Sequence, residues 1–189
     1  MPGKQHLFKV NIMPHLQEPC VPVQGSNLIL IGMPGSGKST IGRLVSRATG
    51  RAWVDTDYLL EAWWGMPLQA LRDSLGLQGF RQAEEKMILS LKFYMTVIST
   101  GGSAVYSPAA MERLQIMGRV VFLRAGLETI TQRLADTSAR GLASRSGQTV
   151  QDIYRERMPL YQQYAGLSVA TDDRSPDLCA EQIVSWLKK

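Results

Sequence analysis

The segment Gly32-Met33-Pro34-Gly35-Ser36-Gly37-Lys38-Ser39 fits the pattern G-x-x-x-x-G-K-[ST]. Glycines let the backbone curl until consecutive N–H groups aim at one phosphate. A helix that starts at the lysine adds partial positive charge. Gly35, Ser36, Gly37, Lys38, Ser39 and Thr40 are therefore the expected nucleotide contacts. Lys38 reaches the β- and γ-phosphates, and the Ser39 hydroxyl supplies one oxygen to Mg²⁺. Two carboxylates follow at Asp55 and Asp57. In extended backbone, residues two apart face the same side, so both can face a cleft at a strand end.

These residues need elements to hold them. Asn27–Ile31 is a short apolar run, as in a buried parallel strand. Ser39–Gly50 has helical spacing through Ile41, Leu44, Val45 and Ala48, with Gly50 as its stop. Further strands are predicted at Ala52–Val54, Thr96–Ser99, Val120–Leu123 and Ser168–Ala170. Helices are predicted at Tyr58–Trp64, Leu68–Leu75, Phe80–Tyr94, Pro108–Met117, Leu127–Ala135, Val150–Tyr164 and Ser175–Lys189, with a kink or break at Pro159. Trp63, Trp64 and the methionines of 87–95 read as packing residues. Asp136–Thr149, rich in Ser, Gly, Thr and Arg, reads as a mobile loop. Strands alternating with helices imply a parallel sheet covered on both faces.

Composition limits the partners. The chain has 189 residues, 44% hydrophobic and 20% charged, as expected of one globular domain. Lys and Arg exceed Asp and Glu by 21 − 16 = 5. The arginines are scattered, which suits separate phosphate or carboxylate contacts better than a nucleic-acid stripe. Residues 1–26 carry four prolines and no clear period, and read as a partly ordered extension. His6 and His15 lack a third ligand nearby, and Cys20 and Cys179 read as free thiols. With neither a signal peptide nor a membrane-length apolar run, the protein is expected in the cytoplasm, as a monomer, off membranes and off nucleic acid.

Taken together, the motifs resemble those of the shikimate kinase family over Asn27 to the C-terminus. They are GMPGSGKSTIGR at 32–43, VDTD at 54–57 with Glu61, Phe80-Arg81 with Glu84, and Thr100-Gly101-Gly102. Arg140 in the lid, Arg157 with Pro159-Leu160-Tyr161, and Arg174 before Pro176 complete the set. The resemblance implies a three-layer α/β P-loop fold with a five-stranded parallel sheet in order 2-3-1-4-5. It implies a kinase domain over 27–189 with a lid at about 136–149, and phosphoryl transfer from ATP to a hydroxyl of a small carboxylic acid. Asp55 would hold Mg²⁺ through water. Asp57 would bind the acceptor hydroxyl and take its proton. Arg81 and Arg157 would clamp the acceptor carboxylate, with Glu84 holding Arg81 or simply solvated beside it. Gly101 and Gly102 would let the acceptor approach closely. Arg140 would neutralise charge on the transferring phosphoryl, with Arg145 as a substitute. Arg174, and Arg133 from the other side, would flank the adenine.

Four departures stand out. Arg72 occupies a position that is usually Phe, Ser103 one that is usually Gly, Gly141 one that is usually Pro, and Leu77 one that is commonly Glu. Three of them, Arg72, Ser103 and Gly141, surround the acceptor. An Arg for a ring-packing Phe either swings into solvent or meets a smaller, more polar acceptor. Shikimate is the expected acceptor. The alternative is another hydroxy acid, such as homoserine.

Overall fold

The computed structural model describes residues 26–135 and 147–189. Five parallel strands form one sheet: β1 (Asn27–Ile31), β2 (Ala52–Asp55), β3 (Thr96–Ser99), β4 (Gly118–Arg124) and β5 (Leu167–Ala170). Their order is β2-β3-β1-β4-β5, as the resemblance implied. Seven helices are described: α1 (Lys38–Thr49), α2 (Thr56–Trp64), α3 (Leu68–Ser90), α4 (Pro108–Met117), α5 (Leu127–Ala135), α6 (Val150–Tyr164) and α7 (Pro176–Leu187).

Alternation along β1 builds the three layers. Leu28 and Leu30 join Ile41, Val45, Val97, Val121, Val169 and Ile183 on the face covered by α1 and α7. Ile29 and Ile31 join Ile88, Ile98, Leu114, Phe122 and Tyr161 on the face covered by α3, α4 and α6. All five β1 residues are buried, so the strand shows no polar alternation. Asn27 opens the strand with a fully used amide. Its Nδ2 donates to Phe93 O (2.8 Å) and Met117 O (3.0 Å), and its Oδ1 accepts from Thr96 N (3.0 Å).

Contacts beneath α1 fix the phosphate-binding turn. Trp53 Nε1 donates to Ser99 Oγ (3.1 Å), which donates to Lys38 O (3.2 Å). A Cβ on Gly42 would lie 2.7 Å from Trp53 Nε1, so only glycine lets α1 sit this close to β2 and β3.

Five local expectations change. Helix assignment runs unbroken from Leu68 to Ser90, but Gly76 has φ 64, ψ 176, so two rods meet at a sharp bend. The second rod stops at Ser90, not Tyr94, because Leu91 turns extended and Asn27 captures the Phe93 carbonyl. Met95, read as a helical core position, has φ 48 and is half exposed. No break occurs at Pro159. That proline lies on the exposed side of α6 with Arg155, so water can satisfy the Arg155 carbonyl that proline leaves without a donor. Trp63 is 74% exposed rather than packed, since α2 buries only the face bearing Thr56 and Leu60.

Candidate active site

The glycine turn closes with Ser36 N donating to Met33 O (3.1 Å). Gly37 stands at φ 94, a left-handed conformation that starts α1 without steric cost. Among the described residues no side chain caps α1, and its first turn contains no acid. Its leading N–H groups and dipole are therefore left for an anion. Lys38 Nζ folds back onto Gly32 O and Met33 O, both at 2.9 Å. The donor set thus suits a polyphosphate: backbone N–H groups, a helix start and a primary ammonium around one turn.

Asp55 ends β2 and caps α2. Its Oδ1 accepts from Asp57 N (3.1 Å) and its Oδ2 from Ser39 Oγ (2.7 Å). This pairing puts a hydroxyl and a carboxylate side by side, a hard-oxygen pair that fits Mg²⁺ with water and phosphate as its other ligands. Among the described residues no group of three or more His, Cys, Asp or Glu could hold a metal ion. Asp55 and Asp57 do not share a side through strand alternation, contrary to the expectation from their spacing. The strand ends at Asp55, and Asp57 lies in the first turn of α2. Both nonetheless line one cavity of ≈ 230 Å³ with Gly35, Gly37, Lys38, Ser39, Thr40, Arg72, Gly102 and Arg133.

Beyond Asp57 the cleft is held by buried polar contacts. Gly101 N donates to Thr56 Oγ1 (2.9 Å). A Cβ on Gly101 would overlap Glu84 Oε1 and lie 2.7 Å from Asp57 Oδ1, so the two acids converge on this glycine. A Cβ on Gly102 would lie 3.0 Å from Arg157 Nη1 and 2.7 Å from Pro34 Cδ. Glu84 is 2% exposed, not solvated, and the hydrogen bond it accepts comes from Ser103 Oγ (2.6 Å) rather than Arg81. Burial, then the Asp57 charge, raises its carboxyl to about 7. Ser103, a departure in the sequence, is thus the partner of a buried acid.

Arg72 neither swings out nor leaves the pocket. Its guanidinium lies over the Phe80 ring at 4.8 Å and lines the cavity with Asp57. Burial lowers its pKa, while Asp57 and Glu84 oppose that fall. Arg157, 1% exposed, and Arg81 come together on one ring that no sequence motif singles out, that of Tyr106. Arg81 Cζ lies 3.8 Å and Arg157 Cζ 5.1 Å from its centroid. The only signal for Tyr106 in the sequence is an aromatic residue shortly after the glycine pair. Tyr161 Oη donates to Gly102 O (2.6 Å), tying α6 to the same segment.

Arg133, which also lines the first cavity, donates from Nη1 to Gly35 O and from Nη2 to Thr171 O, both at 3.1 Å. Arg133 and Arg174 line a ≈ 270 Å³ cavity with Ser36, Gly37, Thr40 and Thr171. Arg174 Nη1 also donates to Gln182 Oε1 (2.8 Å). Arg140, Gly141 and Arg145, with His6, His15 and Cys20, lie outside the described residues. Cys179 is a buried free thiol. Among the described residues no helix is long and apolar enough to cross a membrane.

Known proteins match this arrangement. The family model "Shikimate kinase" matches residues 34–188. A shikimate kinase of Pseudomonas aeruginosa (strain LESB58) is 38% identical over 166 residues, covering 86% of this chain and 96% of its own. One of Histophilus somni (strain 2336) is 35% identical over 165 residues, covering 85% and 94%. The structure of shikimate kinase from Acinetobacter baumannii in complex with shikimate superposes with a TM-score of 0.80 at 28% identity, covering 87% of this chain and 93% of that one. A phosphate-binding turn, a five-stranded sheet in order 2-3-1-4-5 and these matches over most of the chain make one conclusion: the protein belongs to the shikimate kinase family, phosphotransferases that act on a hydroxyl group.

Proposed function

We propose that this protein transfers the γ-phosphoryl group of ATP to a hydroxyl of shikimate in a Mg²⁺-dependent reaction. One observation carries the reading. Lys38 and Ser39 of the phosphate turn share a single cavity with Asp57 and Gly102 of the acceptor side. Donor and acceptor can therefore meet without an intervening covalent enzyme intermediate.

Each residue has a role in that reading. The N–H groups of Gly35 to Thr40 hold the phosphates, and Lys38 turns from Gly32 O and Met33 O to the β- and γ-phosphates. Ser39, directly, and Asp55, through water, would hold Mg²⁺, which when bound neutralises charge on the phosphates. Arg81 and Arg157 hold the acceptor carboxylate, and Gly101 and Gly102 leave it room. Asp57 accepts the proton of the acceptor hydroxyl as that oxygen bonds to the γ-phosphorus. The bond from the γ-phosphorus to its bridging oxygen breaks, and ADP leaves. Arg140 supplies a further cation to the transferring phosphoryl, and Arg174 and Arg133 face the base. Residues 27–189 are read as the kinase domain, with a lid at about 136–149, and residues 1–26 as an extension to it. A cytoplasmic monomer is the expected form.

An acceptor panel at fixed ATP and Mg²⁺ tests this. ADP release should depend on shikimate and not on homoserine or nucleoside monophosphates. Turnover with homoserine but not shikimate overturns the assignment.

A further inference from the structure

We propose that Tyr106 is a positioning residue that sets the Arg81 and Arg157 guanidiniums as one preorganised anion clamp, a proposal that rests on the acceptor-carboxylate role given to these arginines above. The two arginines come from helices that nothing in the local chain holds in register, Arg81 from α3 and Arg157 from α6. Both are cations in a partly or wholly desolvated place, and they repel each other. Tyr106 answers that repulsion at both ends. Its ring takes the Arg81 guanidinium at 3.8 Å, and the Arg81 Nε is buried with no hydrogen-bond partner among the described residues. The negative ring face is what attracts that cation. Its hydroxyl oxygen accepts from Arg157 Nε at 3.2 Å.

The ring can do this because its own turn is stapled to both helices. Tyr106 ends a short 3₁₀ turn, Ala104–Tyr106, closed by Tyr106 N donating to Ser103 O (3.0 Å). Serines on both sides of the turn bond to consecutive glutamates of α3. Ser103 Oγ donates to Glu84 Oε2 and Ser107 Oγ to Glu85 Oε2, each at 2.6 Å. On the other side, Tyr161 of α6 donates to Gly102 O, four residues before the ring. The turn thus fixes the distance between α3 and α6, and Tyr106 converts that distance into the spacing of two guanidiniums. Arg157 keeps Nη1 beside Gly102, facing the acceptor side. A clamp set in advance costs the ligand less ordering on binding.

The effect is therefore on acceptor binding, not on the phosphoryl-transfer step. Tyr106→Leu removes the ring and the hydroxyl, and should raise the acceptor KM about 10- to 100-fold with little change in kcat or in the KM for ATP. Tyr106→Phe keeps the ring and loses only the oxygen, so its acceptor KM should rise by about 3- to 10-fold. Arg81→Ala is measured beside them, all in the full-length protein with shikimate as the probe, on samples with wild-type near-UV circular dichroism. The order wild type, Phe, Leu in acceptor KM at constant ATP KM supports the proposal. If Arg81→Ala raises the acceptor KM while Tyr106→Phe leaves it at the wild-type value, the clamp stands and the positioning role falls. The role falls too if the ATP KM rises in parallel with the acceptor KM. If Arg81→Ala itself leaves the acceptor KM unchanged, the carboxylate reading fails first, and the clamp proposal with it.

Discussion

Glu84→Gln probes a carboxyl that the fold makes hard to ionise. Glu84 is 2% exposed, and burial followed by the Asp57 charge lifts its carboxyl from an ordinary 4.5 to about 7. The native state therefore binds more protons than the unfolded chain between those two values. Stability is greatest below the lower value and falls as pH rises toward the upper one. At about 1.36 kcal/mol per unit, the single group costs the native state about 2–3 kcal/mol between pH 5 and pH 8. Glutamine keeps an oxygen for the Ser103 hydroxyl, now 2.6 Å from Glu84 Oε2, but cannot ionise. Urea unfolding of wild type and variant across that range is the assay. Subtracting one profile from the other cancels the groups that do not interact with Glu84. The difference should move in favour of the variant by about 2–3 kcal/mol on going from pH 5 to pH 8. A difference that stays within about 0.5 kcal/mol over the whole range refutes the reasoning, because Glu84 would then ionise as freely in the fold as in the unfolded chain.

Two further outcomes follow from the packing around the same acid. Gly101→Ala puts a methyl group on Glu84 Oε1 and 2.7 Å from Asp57 Oδ1. It should cut kcat/KM by about 100-fold or more, for a stability loss of about 1–3 kcal/mol, as steady-state kinetics and denaturation would report. Tyr161→Phe deprives Gly102 O of the hydroxyl that donates to it at 2.6 Å, and should lower stability by about 1–3 kcal/mol in the same denaturation assay.

Much of this fold, and the phosphate turn of the candidate site, is legible in the residues themselves. A glycine turn between an apolar run and an amphipathic segment leaves few alternatives, whereas the strand order comes only from the family resemblance. What stays hidden are features that depend on distant partners. Asp57 lies in a helix because Asp55 caps it, a competition between strand and helix end that spacing alone does not decide. The second rod of α3 ends at Ser90 because Asn27, more than sixty residues earlier, binds Phe93 O. Glu84 looks like a brace for Arg81 at i−3 or a solvated residue beside it, yet it is buried and bonded to Ser103 at the glycine pair. Arg72 looks like a loss of apolar packing, yet it keeps contact with an aromatic ring through Phe80. Tyr106 carries no motif at all, and only the fold shows two arginines meeting on it.

The central claim is that Asp57 faces the phosphate turn and serves the acceptor hydroxyl. Phosphorus NMR of ATP, Mg²⁺ and shikimate with wild type and Asp57→Asn tests it most directly. A new phosphate ester signal should grow with ADP in the wild type, at a rate lower by about 100-fold or more in the variant, with ATP binding retained. ATP consumption that proceeds equally with and without shikimate, or an Asp57→Asn protein that forms the ester at the wild-type rate, would contradict it.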